Sequence, residues 1–410
     1  MRQSRLLTTI IRNDMRILFV ADGRSPTALN WIAGFVERGY EVHLASTFAC
    51  NPGLRLASLT IVPAAFSSLK AKDKAASGQG GRKGFLWGAS ALRLRTALRQ
   101  WLGPLTLPWS ARRLRQVVDQ VQPDLIHAIR IPYEGMIAAL AEPAAPLLVS
   151  VWGNDFTLHA PANALMGRYT TLTLNRAQAL HTDCYRDVRL AQAWGFLPDR
   201  PAMVLPGGGG IQMDVFYMGE RDWRLEAGDM SFPVVINPRG FRAYVRNDTF
   251  FKAIPIVLGK YPQARFLCPS MAGEPQAQRW IEELRLTGKV ELLPQQTRPQ
   301  MSDLFRQAQV AVSPSFHDGT PNTLLEAMAC GCFPVVGDIE SLREWITPGV
   351  NGLLVDPANP QALAEAVLVA LEQPDLRQRA AAHNVELIAE RAEYGRVMLQ
   401  AEALYKQLIY

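Results

Sequence analysis

The sequence has few cysteines and no long apolar run. Five cysteines are too few, and odd in number, for a disulfide framework, and Cys330-Gly-Cys332 is spaced too closely for a redox or zinc pair. We therefore expect reduced thiols in a cytoplasmic protein. No apolar stretch approaches the roughly 20 residues that a membrane-spanning helix requires. Residues 1–14 lack the apolar centre and the cleavage site of a signal peptide, and they predict a loose N-terminal extension.

Charge is not abundant either. Charged residues make up 20% of the chain and hydrophobic residues 48%, a balance that argues against disorder and is ordinary for a globular protein. At 410 residues the chain is too long for one ordinary core, so the length predicts two domains.

Short apolar strands alternate with helical segments along the chain. A strand over 16–21, the turn DGRSP, a helix over 27–38 and a strand over 41–46 form a βαβ start. Further strands are predicted over 124–128, 147–151, 179–182 and 202–205, and, after a glycine run at 207–210, over 233–237, 264–268, 290–293, 309–313, 333–336 and 353–355. The pattern predicts an α/β protein of two doubly wound domains, with its ligand beside the carboxyl ends of the strands.

Residues 316–332 read FHDGTPNTLLEAMACGC and predict a short helix over 321–330. Thr320 suits the N-cap, Pro321 suits the first helical position, and Gly331 suits a left-handed stop. The helix start could hold a phosphate on the helix dipole and the backbone N–H groups of Gly319, Thr320, Asn322 and Thr323. Pro321, which has no N–H, is a donor-binding candidate as part of the same turn. Glu326 could then accept hydrogen bonds from a ribose. The alternative is a capped surface helix with solvated acids.

From about residue 290 the chain resembles the donor domain of retaining, nucleotide-sugar-dependent glycosyltransferases of the GT-B fold, family 4 type. SPSFHDGTPNTLLEAMACGCFPVVGDIESLREWITPGVNGLLVDP is similar to the family pattern Glu-Gly-x-Pro, Leu-Glu-Ala-Met-Ala-x-Gly, Pro-Val-Val and Asn-Gly-Leu-Leu-Val. PRGFRAYVRND, VLPGGGGIQMDVF and LVSVWGND extend the likeness. The resemblance implies two Rossmann-like domains facing across a cleft: an acceptor-binding domain over 15–205, a donor-binding domain over 206–385, and a C-terminal helix over 386–410 packing back toward the first.

The resemblance also implies roles for individual residues. Asp318, shortened from the family's glutamate, would face the donor sugar, and Glu326 would face the ribose. Arg239 and Arg246 would neutralise the diphosphate leaving group, and Arg242 could substitute for either. The alternative for these arginines is that they are solvated loop charges. From the first domain, the DGRSP loop would approach the same diphosphate, and its candidates are Gly23 and Ser25.

The first domain departs from the family at one position. Many members carry a histidine where this chain has Trp152, which could stack on a sugar or belong to the core. Asp155 and His127 are further candidates on the acceptor side, although a lone histidine after a strand is more often structural. No general base is assigned, because in this family the departing diphosphate can itself take the acceptor's proton.

Residues 82–115 contain eight lysines and arginines, no acid, and Trp87, Trp101 and Trp109. Tryptophans interleaved with arginines suit an anionic bilayer surface. A solvated helix face and a nucleic-acid site are the alternatives, and we favour the membrane.

Together these features predict a retaining glycosyltransferase that uses a UDP- or GDP-type sugar donor and requires no metal or cofactor. Its acceptor would be a glycan or a lipid-linked molecule in cell-surface polysaccharide or glycolipid biosynthesis, with no nucleic-acid partner. We expect it in the cytoplasm, peripheral on the inner face of the cell membrane. The alternatives are a catalytically decayed protein that binds a nucleotide sugar or glycan without transfer and, more weakly, an epimerase of the same fold.

Overall fold

The protein is described here by a computed structural model, which covers residues 13–65, 102–220, 232–242 and 244–410. Residues 1–12 of the expected N-terminal extension and residues 82–101 of the basic segment, with Trp87 and Trp101, lie outside the described ranges. The chain divides into two compact units. The first comprises Met1–Thr182, Asp187–Gly209 and Met398–Tyr410, and the second comprises Asp183–Arg186 and Gly210–Val397.

The first unit is built on a seven-stranded sheet of order β3-β2-β1-β4-β5-β6-β7, in which every pairing is parallel. The strands are β1 Asn13–Ala21, β2 Tyr40–Ser46, β3 Ser58–Ile61, β4 Leu125–Ile129, β5 Leu147–Val151, β6 Ala179–Thr182 and β7 Ala202–Val204. Its helices are α1 Pro26–Glu37, α2 Leu107–Val121, α3 Met136–Ala141, α4 Ala164–Arg176 and α5 Tyr185–Ala193, the first two residues of α5 belonging to the second unit. The strand order reverses between β1 and β4, the point where ligands bind in doubly wound folds.

A row of polar side chains crosses the carboxyl half of this sheet within the core. The row runs in order through Trp31, Tyr405, His127, Ser150, His181 and the carbonyl of Leu205, with heavy-atom distances of 2.5 to 3.0 Å. Because Leu205 can only accept, His181 must donate from Nε2 and accept at Nδ1 when it is neutral. Ser150 must then donate to His181, and His127 must donate to Ser150 from Nε2. Tyr405 donates in turn to Nδ1 of His127 and accepts from Trp31, so every hydrogen bond runs in one direction from Trp31 to Leu205.

Burial keeps both histidines of this row neutral. It lowers the pKa of His181 to about 4, and together with the neighbouring His181 it lowers the pKa of His127 well below the ordinary value. Tyr405 belongs to the C-terminal residues of the first unit, and its ring stacks on Phe35 with the centroids 4.3 Å apart. The C-terminal residues therefore complete the core of this unit.

The second unit is built on a six-stranded sheet of order β10-β9-β8-β11-β12-β13, again with parallel pairings. The strands are β8 Val234–Ile236, β9 Arg265–Cys268, β10 Val290–Leu292, β11 Val310–Ser313, β12 Phe333–Gly337 and β13 Leu353–Val355. The helices are α6 Asn247–Lys260, α7 Pro275–Glu283, α8 Arg298–Gln307, α9 Asn322–Ala329, α10 Pro360–Glu372, α11 Pro374–Arg391 and α12 Tyr394–Ile409, the last shared with the first unit. The order reverses between β8 and β11.

All twelve strands predicted from the sequence are present, with ends that differ by at most three residues. The edge strand Ser58–Ile61 was missed because its four residues are partly exposed and carry no long apolar run. Residues 386–410 were predicted as one helix, but α11 ends at Arg391 and a separate helix, α12, begins at Tyr394. Within the described ranges, no helix combines the length and the apolar character needed to cross a bilayer.

We expect Tyr405→Phe to destabilise the protein. The phenyl ring can keep the stack on Phe35, but the Trp31 Nε1–H and the His127 Nδ1 would lose their partner inside the core, at a cost of about 1 to 3 kcal/mol. Chemical denaturation measures this loss. Tyr410→Phe is the matched control, because Tyr410 is 95% exposed and should change the unfolding free energy by less than about 0.5 kcal/mol. Equal effects of the two variants would contradict the buried row.

Candidate functional site

Two neighbouring strands of the second unit deliver the candidate residues. Strands β8 and β11 pair in parallel, with Val235 opposite Val310, so the segments that follow them meet at the same edge of the sheet. The turn after β8 is held by two asparagines. Asn237 donates to Asn247 at 3.0 Å, and Asn247 donates to the carbonyl of Gly240 at 3.2 Å. This turn carries Arg239, and the loop after β11 carries Asp318.

Arg239 and Asp318 form an ion pair at this edge. The guanidinium Nη2 lies 2.5 Å from Oδ2 of Asp318, and Nη1 donates to Oγ1 of Thr323 at 3.1 Å. The side chains are 8% and 13% exposed. Burial raises the pKa of the Asp318 carboxyl, and the charges of Arg239 and Arg242 oppose that rise. The acid predicted to face a sugar and an arginine predicted to face a diphosphate are thus in direct contact.

The other two arginines are placed differently from each other. Arg242 donates to the carbonyl of Arg239 at 3.0 Å, and its charge acts on Asp318. Arg246 forms a two-pronged ion pair with Asp248, with both distances 2.8 Å, and it makes no contact with Asp318 in the described part of the chain. Asp248 holds the Arg246 guanidinium in this structure, and the role of Arg246 toward the diphosphate stays a prediction. Arg242 is the second arginine whose charge acts on Asp318.

The start of helix α9 also differs from the prediction. Pro321 is the N-cap residue, and its carbonyl accepts from Leu324 at 2.9 Å. Thr320 is not the cap, because its hydroxyl donates to the carbonyl of Asp183 and accepts from Nε1 of Trp345 at 2.9 Å. The helix ends as expected, since Gly331 takes a left-handed φ of 77° with the hydrogen bonds of a Schellman cap.

Free backbone donors remain at this helix start. The N–H groups of Asn322 and Thr323 are the first two of α9 and have no acceptor among the described residues. The N–H of Gly319 is turned to the carboxylate of Asp318. Two unpaired N–H groups, the positive end of the helix dipole and the guanidinium of Arg239 thus converge, an arrangement suited to an anion.

Glu326 lies one turn along the same helix. It is half-buried, and its carboxylate forms no hydrogen bond with the rest of the described chain. Burial raises the pKa of Glu326 to about 7, against the charges of Arg298 and Arg239. An uncommitted carboxylate beside an anion seat can accept hydrogen bonds from a neutral polyol.

Comparison with known proteins identifies the family. Residues 228–385 match the model of the glycosyl transferases group 1, and residues 22–208 match that of the glycosyl transferase 4-like domain. The chain belongs to the group 1 glycosyltransferases. Among solved structures, the chain is similar to sucrose-phosphate synthase from Thermosynechococcus elongatus, with a TM-score of 0.72, 16% identity and coverage of 96% of this chain and 99% of that one.

A second solved structure is that of Anabaena Alr3699/HepE in complex with UDP and glucose, with a TM-score of 0.68, 17% identity and coverage of 96% of this chain and 100% of that one. These likenesses confirm the GT-B fold. A curated relative, the D-inositol 3-phosphate glycosyltransferase of Mycolicibacterium smegmatis, is 29% identical over 208 residues, 46% of each chain. The match thus spans less than half the length of that relative.

The first unit of the protein contains the DGRSP candidates. A Cβ at Gly23 would lie 2.4 Å from Sγ of Cys50 and 2.9 Å from Oγ of Ser46, so close packing explains the glycine at this position. Ser25 is the N-cap of α1, and its hydroxyl accepts from the N–H of Ala28 at 3.4 Å. The donor-binding roles of Gly23 and Ser25 stay predictions.

The two acceptor-side candidates after β5, Asp155 and Trp152, differ in burial and in hydrogen bonding. Asp155 is buried, and its carboxylate is used by Arg130 at 2.9 Å, by the N–H of Ile131 at 3.2 Å and by the N–H of Trp152 at 3.1 Å. It therefore anchors the loop, and the expectation that it faces a substrate is wrong here. Trp152 stays a candidate. It is only partly buried, and its Nε1 has no hydrogen-bond partner in the described structure.

The expectation for His127 is also wrong. This histidine is fully buried on β4, and both of its ring nitrogens are used in the polar row of the core. A side chain with no exposed surface and no spare nitrogen cannot meet an acceptor, so the structural alternative holds.

The sequence analysis missed the residues that hold the 318–320 loop. Asp183, at the carboxyl end of β6, accepts from Thr320 through its carbonyl. Its carboxylate lies where a side chain on Gly319 would be, since a Cβ there would come within 2.2 Å of Oδ1. An acid directly after a strand was the available signal, but nothing in the sequence connects position 183 with positions 319 and 320.

We expect Gly319→Ala to destabilise the protein by about 1 to 3 kcal/mol, the usual cost of overpacking, because the short buried side chain of Asp183 has to move. Denaturant unfolding measures the change. Gly259→Ala is the matched control with the opposite expected sign. No atom lies within 4 Å of a Cβ at this exposed position of α6, and alanine should stabilise the helix by up to about 1 kcal/mol. A neutral Gly319→Ala would mean that the loop is not closely held.

Proposed function

We propose that the protein is a retaining glycosyltransferase that moves a sugar from a nucleoside-diphosphate sugar to a hydroxyl of a glycan or lipid-linked acceptor, in cell-surface polysaccharide or glycolipid biosynthesis. The observation that carries the proposal is the Arg239–Asp318 pair beside the unpaired N–H groups of α9 and the uncommitted carboxylate of Glu326. The diphosphate of such a donor would face the N–H groups and Arg239, its sugar would face Asp318, and its ribose would face Glu326. UDP is the first nucleotide to test, because a solved protein of the same fold contains it.

The diphosphate is assigned to the N-terminus of α9, with Arg239 and Arg242 as the counter-charges. These groups stabilise the charge that grows on the leaving group as the glycosidic bond breaks. Two guanidinium groups and a helix dipole supply this stabilisation without a metal ion, so we propose that turnover is insensitive to chelators. Gly319, Thr320 and Pro321 shape the loop that leads into the helix, and Thr323 also orients Arg239 through its hydroxyl.

The sugar is assigned to Asp318 and the ribose to Glu326. In the transfer, the bond between the anomeric carbon and the phosphate oxygen breaks, and a bond from that carbon to the acceptor oxygen forms on the same face. The acceptor's proton passes to the departing diphosphate, so no side chain is assigned as a base. Trp152 is proposed on the acceptor side.

Substitutions of the two carboxylates should change two different measured quantities, UDP affinity and transfer efficiency. Glu326→Gln should weaken UDP binding by about 1 to 3 kcal/mol, the scale of a hydrogen bond to a charged group. Asp318→Asn should lower the transfer efficiency roughly 10- to 100-fold with a much smaller change in UDP affinity, because the charged contact to the sugar is lost while the amide oxygen can still accept from Arg239. Calorimetry with UDP, and detection of released nucleotide with a panel of acceptors, give the two readouts.

Each variant is the control for the other, since both remove one charge within the same loop and helix. Full transfer by Asp318→Asn would remove this acid from the sugar, and unchanged UDP affinity of Glu326→Gln would remove that acid from the ribose. A wild-type protein that binds UDP but transfers no sugar would favour the decayed binding protein instead.

We further propose that the protein docks on an anionic membrane through the outer face of α2 and the short turn Gly103–Thr106 before it. Leu105 and Trp109 are 64% and 57% exposed, and Arg112 and Arg113 are exposed with no ion pair in the described part of the chain. Apolar side chains beside unpaired arginines suit the interface of a bilayer whose lipids are negatively charged. These four residues lie in the described part of the basic segment 82–115, for which the sequence predicted a lipid surface as the partner.

Flotation with phosphatidylglycerol-containing vesicles tests the docking face. Arg112→Ser/Arg113→Ser should reduce binding by about 2 kcal/mol, at about 1 kcal/mol for each basic residue near the surface, and salt should weaken the wild type. The control Arg379→Ser/Arg396→Ser removes two exposed arginines of the second unit and should bind as the wild type does. Equal binding to neutral phosphatidylcholine vesicles, or equal loss in both double variants, would contradict the proposal.

A further inference from the structure

Two residues distant in sequence, Asp183 and Arg186, hold the loop that carries Asp318. The segment Asp183–Arg186 belongs to the second unit, although it lies between β6 and most of α5 in the chain. The two residues contact three consecutive positions: Arg186 reaches the carbonyl of residue 318, the carboxylate of Asp183 fills the space beside residue 319, and the carbonyl of Asp183 accepts from residue 320. Consecutive contacts of this kind fix a loop more firmly than one contact could.

The guanidinium of Arg186 is the charged element of this set. Its Nη1 donates to the backbone carbonyl of Asp318 at 2.7 Å, and the side chain of Ser341 donates to the same carbonyl at 2.8 Å. Arg186 is only 9% exposed. A buried guanidinium is costly to desolvate unless its N–H groups are used, so its direction toward one peptide oxygen restrains that peptide. The restrained peptide is the one that carries the Asp318 side chain.

Arg186 is itself oriented by Glu344. The Oε1 of Glu344 accepts from the N–H of Arg186 at 3.0 Å, and its Oε2 accepts from the N–H of Tyr185 at 2.9 Å. A carboxylate on the first N–H groups of a helix is a stable arrangement, because these groups lack partners within the helix and carry the positive end of its dipole. Glu344 thus fixes the backbone of Tyr185 and Arg186, from which the side chain of Arg186 reaches the loop.

We propose that Arg186, oriented by Glu344, is a positioning residue for sugar transfer: it holds the peptide of Asp318 so that the carboxylate stays at Arg239 and faces the donor sugar. This inference rests on the proposed function. Arg186 reaches the loop through a backbone carbonyl, whereas the anion seat is formed by Arg239 and the start of α9. Loss of Arg186 should therefore affect the step in which the sugar is transferred more than the binding of the nucleotide.

The test compares Arg186→Met with Arg189→Met, which removes an exposed arginine from the same helix. Arg186→Met should lower kcat roughly tenfold with the Kd for UDP unchanged, and Arg186→Lys should recover most of kcat, because the ammonium can still donate to the carbonyl. Arg189→Met should match the wild type. Loss of kcat and UDP affinity together, or equal effects of the two methionine variants, would overturn the positioning role.

A crystal structure of Arg186→Met gives a readout that does not depend on activity. The loop 318–320 should shift and the Arg239–Asp318 pair should lengthen beyond the present 2.5 Å, while α9 keeps its place. An unchanged loop would overturn the inference. If the wild type transfers no sugar to any acceptor, the proposed function fails, whereas the displacement of the loop in this variant still decides whether Arg186 positions Asp318.

Discussion

The ion pair between Arg239 and Asp318 is the interaction on which the account of the donor site depends. It joins the segments that follow β8 and β11, two strands that are neighbours only because the sheet reverses its order there. An arginine that is 8% exposed needs a partner to offset its desolvation, and the carboxylate supplies it. The pair places a guanidinium beside the start of α9 and leaves Asp318 at the edge of the same space.

The loop between this pair and the helix is fixed from several directions. The carbonyl of Asp318 accepts from Arg186 and from Ser341, and Thr320 is held between Asp183 and Trp345. Gly319 has no side chain, and this lets Asp183 approach. The helix can then begin with unpaired N–H groups, because the residues around it are held by other bonds. Preorganised donors of this kind stabilise a developing charge without reorganising during the reaction.

Sequence patterns predicted what depends on neighbouring residues. Most residues of the buried strands are apolar, as in Val234–Ile236, and the alternation of these strands with helices indicates parallel sheets. The left-handed stop at Gly331 follows from glycine chemistry alone. The motif run around Asp318 and Glu326 indicated the family, which the matches to both halves of the chain confirm.

The errors arose where a distant partner decides the outcome. Thr320 has good cap chemistry, but Asp183 and Trp345 take its hydroxyl. His127 meets Tyr405, 278 residues away, in the core. No local pattern encodes these encounters, because each requires the folded sheet to bring the two residues together.

A crystal structure of the protein with UDP bound tests the central claim most directly. The account predicts a phosphate oxygen within hydrogen-bond distance of the Asn322 or Thr323 N–H and of Arg239. It also predicts the ribose hydroxyls at the carboxylate of Glu326, with Asp318 beyond the second phosphate. A nucleotide bound elsewhere, or one whose ribose lies away from Glu326, would contradict the account.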